Sequence, residues 1–265
     1  MWWGNRRRDA THKEGEKGMY SKLYQQFYNF KHGTEYLNYG REIIVDFAKR
    51  YCSAEGTIRV LDIGGGAGTD LCNIREGFAS RKVELYELEA YPPNCRKAEE
   101  RGISVKTIDV EREKFPYDNQ YFDVVVANQV YEHLKEIIWV TSEISRILKP
   151  QGILIIGVPN LASLHNRVLL LMGRQPSSIY ALGPHVRGYT PNDLENFFET
   201  DGYFSCKERR GANFYPFPPQ MARWLSEHFP DAAVSTFYCV ERTEKEGFFK
   251  DVLKDRFFET PYYVG

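Results

Sequence analysis

Asp62 and the glycines at 64, 65, 66 and 68 stand together in RVLDIGGGAGTDL, Arg59 to Leu71. An apolar run ends at an acid, and the backbone beyond it is nearly bare of side chains. Such a turn lets a ligand come against main-chain N–H groups at the start of a helix. Spacing narrows the chemistry. A phosphate-cradling loop ends in Gly-Lys-Ser/Thr, whereas Gly68 is followed by Thr69 and Asp70. A dinucleotide fingerprint needs a third glycine five residues after the first. Counted from Gly64 and Gly66 that position is Thr69, and no other trio here has the spacing. The turn is therefore not of either phosphate-binding type. Further along, His133 lies in YEHLKE, and His165 and His185 follow. An imidazole with an ordinary pKa near 6.5 suits proton removal at neutral pH. His133 is the first candidate for that base, with packing or helix capping as the alternative.

Short apolar runs at 58–63, 83–88, 103–110, 122–127 and 153–158 read as strands. Helical stretches at 70–78, 93–101 and 137–148 separate most of them, the last ending at Pro150-Gln151-Gly152. Strands alternating with helices imply right-handed β-α-β units and a parallel sheet covered on both faces. Upstream, the segment 20–30 and residues 35–51 have helical spacing and are expected to form an N-terminal helical cap, residues 1–56. Residues 57–265 then form the main domain. After Val158 the alternation breaks, and 159–220 reads as an insertion with an apolar helix over 161–172. Thr190, Pro191 and Asp193 mark a capped helix start. Runs 203–207 and 234–240 complete seven strands, with a rigid Pro-rich connection at 215–219 between them.

The chain has 265 residues, 42% hydrophobic and 27% charged, with net charge −1. That balance favours no nucleic-acid partner, and Arg6-Arg7-Arg8 is a short solvated run. Five scattered cysteines without a C-x-x-C pair argue against a disulfide framework or a zinc site and favour a reducing compartment. No signal-type apolar region is seen near the N-terminus, so a cytoplasmic location is expected. The longest apolar run, Val168 to Met172, is too short to span a bilayer and reads as one buried helical face.

Asp62-x-Gly64-x-Gly66-x-Gly68 resembles motif I of the class I S-adenosylmethionine-dependent methyltransferases, and the resemblance runs from about Thr57 to Val158. It implies a Rossmann-like, doubly wound, mostly parallel seven-stranded sheet, with the insertion after strand five building the acceptor pocket. It also implies S-adenosylmethionine as cofactor, a cationic ligand without phosphate. Asp62 would orient water or the ammonium end of the cofactor. The acid for the ribose hydroxyls is expected at the end of strand two. Strand alternation favours Glu87 there over Glu84 and Glu89, with Leu88 packing on the sugar or base. In KTIDVE, Asp109 would bond the adenine amino group, and the Val110 backbone a ring nitrogen. Asn128 and Gln129, after FDVVVA, would lie beside the methionine part. Arg41 would pair with the cofactor's carboxylate, and Tyr24, Tyr28 and His32 would close over the site.

For the acceptor, the resemblance implies that His133 faces the methyl group. His165, His185, Arg187 and Tyr189 lie in or beside the insertion, and GPHVRGYTPNDLENFF is similar to a segment of small-molecule and sugar methyltransferases. A hydroxyl of a sugar or glycan precursor is the expected acceptor. An aromatic or quinone acceptor is the alternative, and a non-catalytic S-adenosylmethionine-binding module is a third reading. Glu132-His133 is similar to a metal-holding segment of quinone-pathway O-methyltransferases. That segment carries a further acid three residues before its Glu-His acid. Gln129 stands there, and no metal is expected. The oligomeric state is open.

Overall fold

The computed structural model describes residues 40–254. The aromatic segment 20–30, His32, the first part of the 35–51 helix and the chain after residue 254 lie outside the described residues. In order, the elements are α1 (Arg41–Tyr51), β1 (Ile58–Ile63), α2 (Thr69–Gly77), β2 (Val83–Leu88), α3 (Pro92–Glu100), β3 (Ser104–Lys106), β4 (Phe122–Asn128), α4 (Ile137–Ile147) and β5 (Leu148–Pro159). They continue with α5 (Leu164–Leu171), α6 (Pro191–Glu199), β6 (Phe204–Ala212), α7 (Pro219–His228) and β7 (Ser235–Arg242).

The seven strands lie in the order β3-β2-β1-β4-β5-β7-β6. The first five pair in parallel, and β7 runs antiparallel between β5 and β6. The chain winds outward from β1 to β3 and then crosses back to place β4 on the other side of β1. That reversal opens a crevice at the carboxyl ends of β1 and β4, where α/β sheets take their ligands. Buried on both faces, β1 and β4 read as continuous apolar runs. Alternation along the strands sends Leu61, Ile63, Val125 and Ala127 into the core under α4 and α6. Val60, Val124, Val126 and Ile155 go into the core under α1 and α2.

Several expectations are corrected. α1 is no part of a cap. Its Ile44 and Phe47 are fully buried in the sheet's second core, and the compact unit begins at residue 39 rather than after 56. Each such side chain contributes about 1.5–3 kcal/mol on burial. β3 stops at Lys106, not Val110. It has a single neighbour, and the Asp109 N–H bonds Glu113 Oε1 at 2.7 Å instead of a ladder carbonyl. Pro150-Gln151-Gly152 does not precede β5 but forms a bulge inside it. Thr190 and Pro191 do begin α6, but no side-chain capping bond forms. α7, absent from the sequence reading, follows the Pro-rich connection. The apolar run on α5 is not buried: Leu170, Leu171 and Met172 are exposed. No helix among the described residues is long and apolar enough to cross a membrane.

Candidate functional site

The turn after β1 is held by its neighbours. The Gly64 N–H donates to Leu88 O at 2.7 Å, and the Gly66 N–H donates to Glu89 Oε2 at 3.1 Å. A Cβ at Gly65 would lie 2.6 Å from Asp62 Oδ2 and 3.0 Å from Glu87 Cδ. One at Gly68, where φ is +72°, would lie 2.1 Å from Ile103 Cδ1. Gly68→Ala is therefore expected to destabilise the fold by about 1–3 kcal/mol through overpacking. A lowered thermal midpoint in a calorimetric scan checks it, and an unchanged midpoint overturns it.

Two acids lie directly beneath this turn. Asp62 and Glu87 are partners in the register of β1 and β2, and both are buried without any hydrogen bond to their carboxylate oxygens. Burial raises both pKa values. Asp62 stands well above the usual carboxylate range, with Asp70 and Glu87 adding to the effect of burial. Glu87 is pushed up to about 8, with Glu89 adding and Arg101 opposing.

Glu87 is thus not placed as expected. The less buried acid at the turn is Glu89, one residue past β2. It is half-buried, and its carboxylate also accepts the Tyr91 N–H at 2.8 Å and Asn94 Nδ2 at 3.3 Å. Leu88 is likewise corrected: it is fully buried in the core and has no surface for a sugar or base. Asp109 is exposed beyond β3, where it caps the Glu111 N–H and faces Arg112. Val110 is half-buried against the core.

Arg41 meets a carboxylate of this chain. Its Nε lies 3.3 Å from Asp70 Oδ1, and Asp70 Oδ2 accepts Asn128 Nδ2 at 2.9 Å. This chain of contacts ties α1, α2 and β4 together at the crevice. Asp70 was missed as a site residue, although its place at the first turn of the helix after the glycines was visible. Asn128 keeps a buried, unpartnered Oδ1, and Gln129 follows with φ +58°.

The crevice therefore presents Asp62, Asp70 and Glu89, with unpartnered acceptors on Asp62 and Asn128. Acceptors without donors, set among acids, suit a cation rich in N–H and O–H groups and repel phosphate. S-adenosylmethionine, with its ammonium, sulfonium and ribose hydroxyls, fits that chemistry.

Beyond β4 a single 3-10 turn, Tyr131–His133, brings Glu132 and His133 to the crevice. The 184–187 segment lies against it: the Val186 and Arg187 N–H groups donate to Glu132 O at 2.8 and 3.2 Å. The His133 and His185 rings pack edge to face with centroids 4.8 Å apart. Glu132 is buried, and that burial raises its pKa to about 7.

The other residues expected at the acceptor do different work. Arg187 donates to Leu134 O and Lys135 O, and the Tyr189 hydroxyl donates to Tyr131 O at 3.0 Å. Both brace the insertion against the Glu132–His133 turn. His165 bonds Ser163 and Ser177 and faces the Tyr215 ring. Burial lowers its pKa. The structure thus brings His133 and His185 together, and no contact joins His165 to them.

A methyltransferase-domain family model matches residues 34–204. A demethylmenaquinone methyltransferase of Chlorobaculum tepidum is 23% identical over 188 residues, 68% of this chain and 76% of that protein. A ubiquinone biosynthesis O-methyltransferase of Chelativorans sp. is 26% identical over 169 residues, 60% of this chain and 63% of that protein. A solved S-adenosylmethionine-dependent methyltransferase from Mesorhizobium loti superposes with a TM-score of 0.53 at 14% identity, covering 77% of this chain and 98% of that one. With this fold, glycine turn and acidic crevice, the chain belongs to the class I S-adenosylmethionine-dependent methyltransferase family, and S-adenosylmethionine is its cofactor.

Proposed function

We propose that this chain transfers a methyl group to a hydroxyl of a small-molecule acceptor, and that the hydroxyl belongs to an aromatic or quinone-type ring. The observation that carries the reading is the meeting of His133 and His185 at the carboxyl end of β4, with Glu132 buried beside them. An oxygen nucleophile must lose its proton, and this is the group of side chains at the crevice able to manage it.

When bound, S-adenosylmethionine supplies an electrophilic methyl carbon on a sulfonium. The residues that would hold it are the glycine turn, Asp62, Glu89, Asp109 and Asn128. Glu89 takes the ribose role first expected for Glu87, because its half-buried carboxylate meets the turn at the Gly66 N–H while that of Glu87 is fully buried beneath the turn. Asn128 and Gln129 would border the methionine part, and Val110 the adenine. Arg41, paired with Asp70, would sit near the amino-acid end. The remaining task is orientation. A hydroxyl held against the methyl carbon in line with the sulfur gains several kcal/mol from positioning alone.

The ring acceptor is supported by the exposed apolar side chains of α5 and by relatives whose names are those of quinone-pathway methyltransferases. The sugar acceptor rests on His133, the long insertion and the resemblance of the 183–198 segment to sugar methyltransferases. Incubation with S-adenosylmethionine and panels of catechols and of hexose derivatives separates the two. Release of S-adenosylhomocysteine with a methylated phenol is the expected result. Turnover with sugars alone returns the acceptor to the sugar reading, and turnover only with amines or thiols overturns O-methylation. His133→Ala is expected to lower kcat about 100-fold with cofactor affinity unchanged. Loss of affinity instead would move His133 to the cofactor side.

A further inference from the structure

The ligand atoms of Glu132, His133 and His185 all lie within 4.8 Å of one another. Three further observations give that spacing a meaning. Both carboxylate oxygens of Glu132 are buried and have no hydrogen-bond partner, although the residue is only 1% exposed. A carboxylate left so is costly unless a cation meets it.

The second observation concerns the imidazoles. His133 Nδ1 lies 3.2 Å from Pro184 O, and His185 Nδ1 lies 2.6 Å from Ser178 O. A carbonyl only accepts, so each Nδ1 carries the hydrogen. Each Nε2 is then the lone-pair nitrogen. Metal-binding histidines are held in this way, with one nitrogen tied to a carbonyl and the other left as a lone-pair donor.

The third is bracing. The two histidines come from segments about fifty residues apart in the chain. The Val186 and Arg187 N–H groups bond Glu132 O, and the Arg187 side chain bonds the carbonyls of Leu134 and Lys135. These bonds fix one segment on the other on either side of the candidate ligands. Two imidazoles and a carboxylate, held by backbone bonds, form a donor set with positions left open.

We propose that Glu132, His133 and His185 bind one first-row divalent transition-metal ion, of the zinc or iron(II) class, beside the crevice. Two nitrogen donors favour such an ion over magnesium or calcium, which take oxygen donors. Ligand atoms about 2 Å from an ion sit roughly 3–4 Å apart, so a modest rotation of the exposed His133 ring closes the set. His185 from the insertion replaces the acid that the sequence lacks at Gln129, which is why no metal was expected from the local pattern.

The role of the ion rests on the hydroxyl-acceptor reading. An open coordination position takes the acceptor hydroxyl and lowers its pKa. The O–H proton leaves to solvent. The oxygen bonds the methyl carbon as the methyl–sulfur bond breaks, with the electron pair staying on sulfur. His133 then acts as a ligand rather than as a free base.

The test is titration of Co²⁺ into the metal-free full chain, followed by its visible spectrum and by calorimetry. One Co²⁺ per chain with an imidazole-type spectrum is the expected result. Glu132→Gln and His185→Ala should each weaken that binding at least about tenfold, with S-adenosylmethionine binding unchanged as a control for the fold. Should His185→Ala not fold, His185→Asn serves in its place. Equal Co²⁺ binding by parent and variants overturns the site, as does no binding by the parent. Methyl transfer to a phenol that survives chelation would overturn the ion's role while leaving the proposed function standing. A chain that binds Co²⁺ as expected yet methylates only amines or thiols would keep the site and overturn the hydroxyl reading.

Discussion

Glu89→Ala is expected to weaken S-adenosylmethionine binding about 100-fold, while Glu87→Gln leaves it nearly unchanged. The two acids are two residues apart and share a strand face. Their surroundings differ. Glu89 lies past the strand end, half-buried, with its carboxylate already on the Gly66 N–H. Glu87 is buried beneath Gly65 and Gly68, whose missing Cβ atoms leave it just room. Hydrogen bonds to a charged partner are worth about 1.5–3 kcal/mol each, so two lost ribose bonds amount to roughly 3 kcal/mol or more, or about 100-fold. Calorimetric titration of both variants decides the matter. A loss confined to Glu87→Gln would restore that residue to the ribose and remove Glu89 from it.

The second large effect is on stability and its pH dependence without cofactor. Glu87 is raised from 4.5 to about 8 because it is buried, with Glu89 near and Arg101 only partly offsetting it. The folded chain therefore holds this proton across a range where the unfolded chain has released it. Below about pH 4.5 both states are protonated and there is no penalty. Between 4.5 and about 8 the unfolded state binds fewer protons, so stability falls as pH rises. Above about 8 the penalty is complete. At about 1.4 kcal/mol per unit its ceiling is roughly 5 kcal/mol, a large share of the stability of an ordinary domain. Asp62, raised in the same direction, adds to the slope.

Glu87→Gln removes the ionisation and keeps the shape. It should raise the unfolding midpoint above pH 8 and approach the parent near pH 4.5. Denaturant unfolding at several pH values reads this directly. Parallel curves for parent and variant would show that Glu87 keeps its ordinary pKa and finds a partner in solution.

Local pattern carried much of this protein. The apolar runs of β1 and β4 and the helical periodicity of α4 are set by the residues themselves, because burial on two faces or on one stripe leaves a period in the chain. The glycine turn was equally legible. Its spacing is a backbone requirement, and the residues that follow it exclude the phosphate-binding types. From alternation and the strand-end position of Asp62, the sheet and its ligand crevice followed.

What a period cannot encode is depth and partner. Glu87 and Glu89 have the same parity, and only the packed turn above them shows which is covered. Leu88 reads as a strand-end residue, yet the opposite face of the sheet buries it completely. Arg41 has a carboxylate at hand in Asp70, brought to it by the packing of α1 on α2. The α5 run that reads as a buried face is exposed, because no element among those described covers Leu171 or Met172. His185 lies more than fifty residues from Glu132, and its ring meets His133 only because Arg187 and Tyr189 bond the backbone of the 131–135 turn. The sequence by itself determined the scaffold, which rests on short-range spacing, and through the resemblance of its glycine turn it implied the class of cofactor. The tertiary structure alone decided which acids face that cofactor and which side chains converge beside it, since those depend on contacts between segments far apart in the chain.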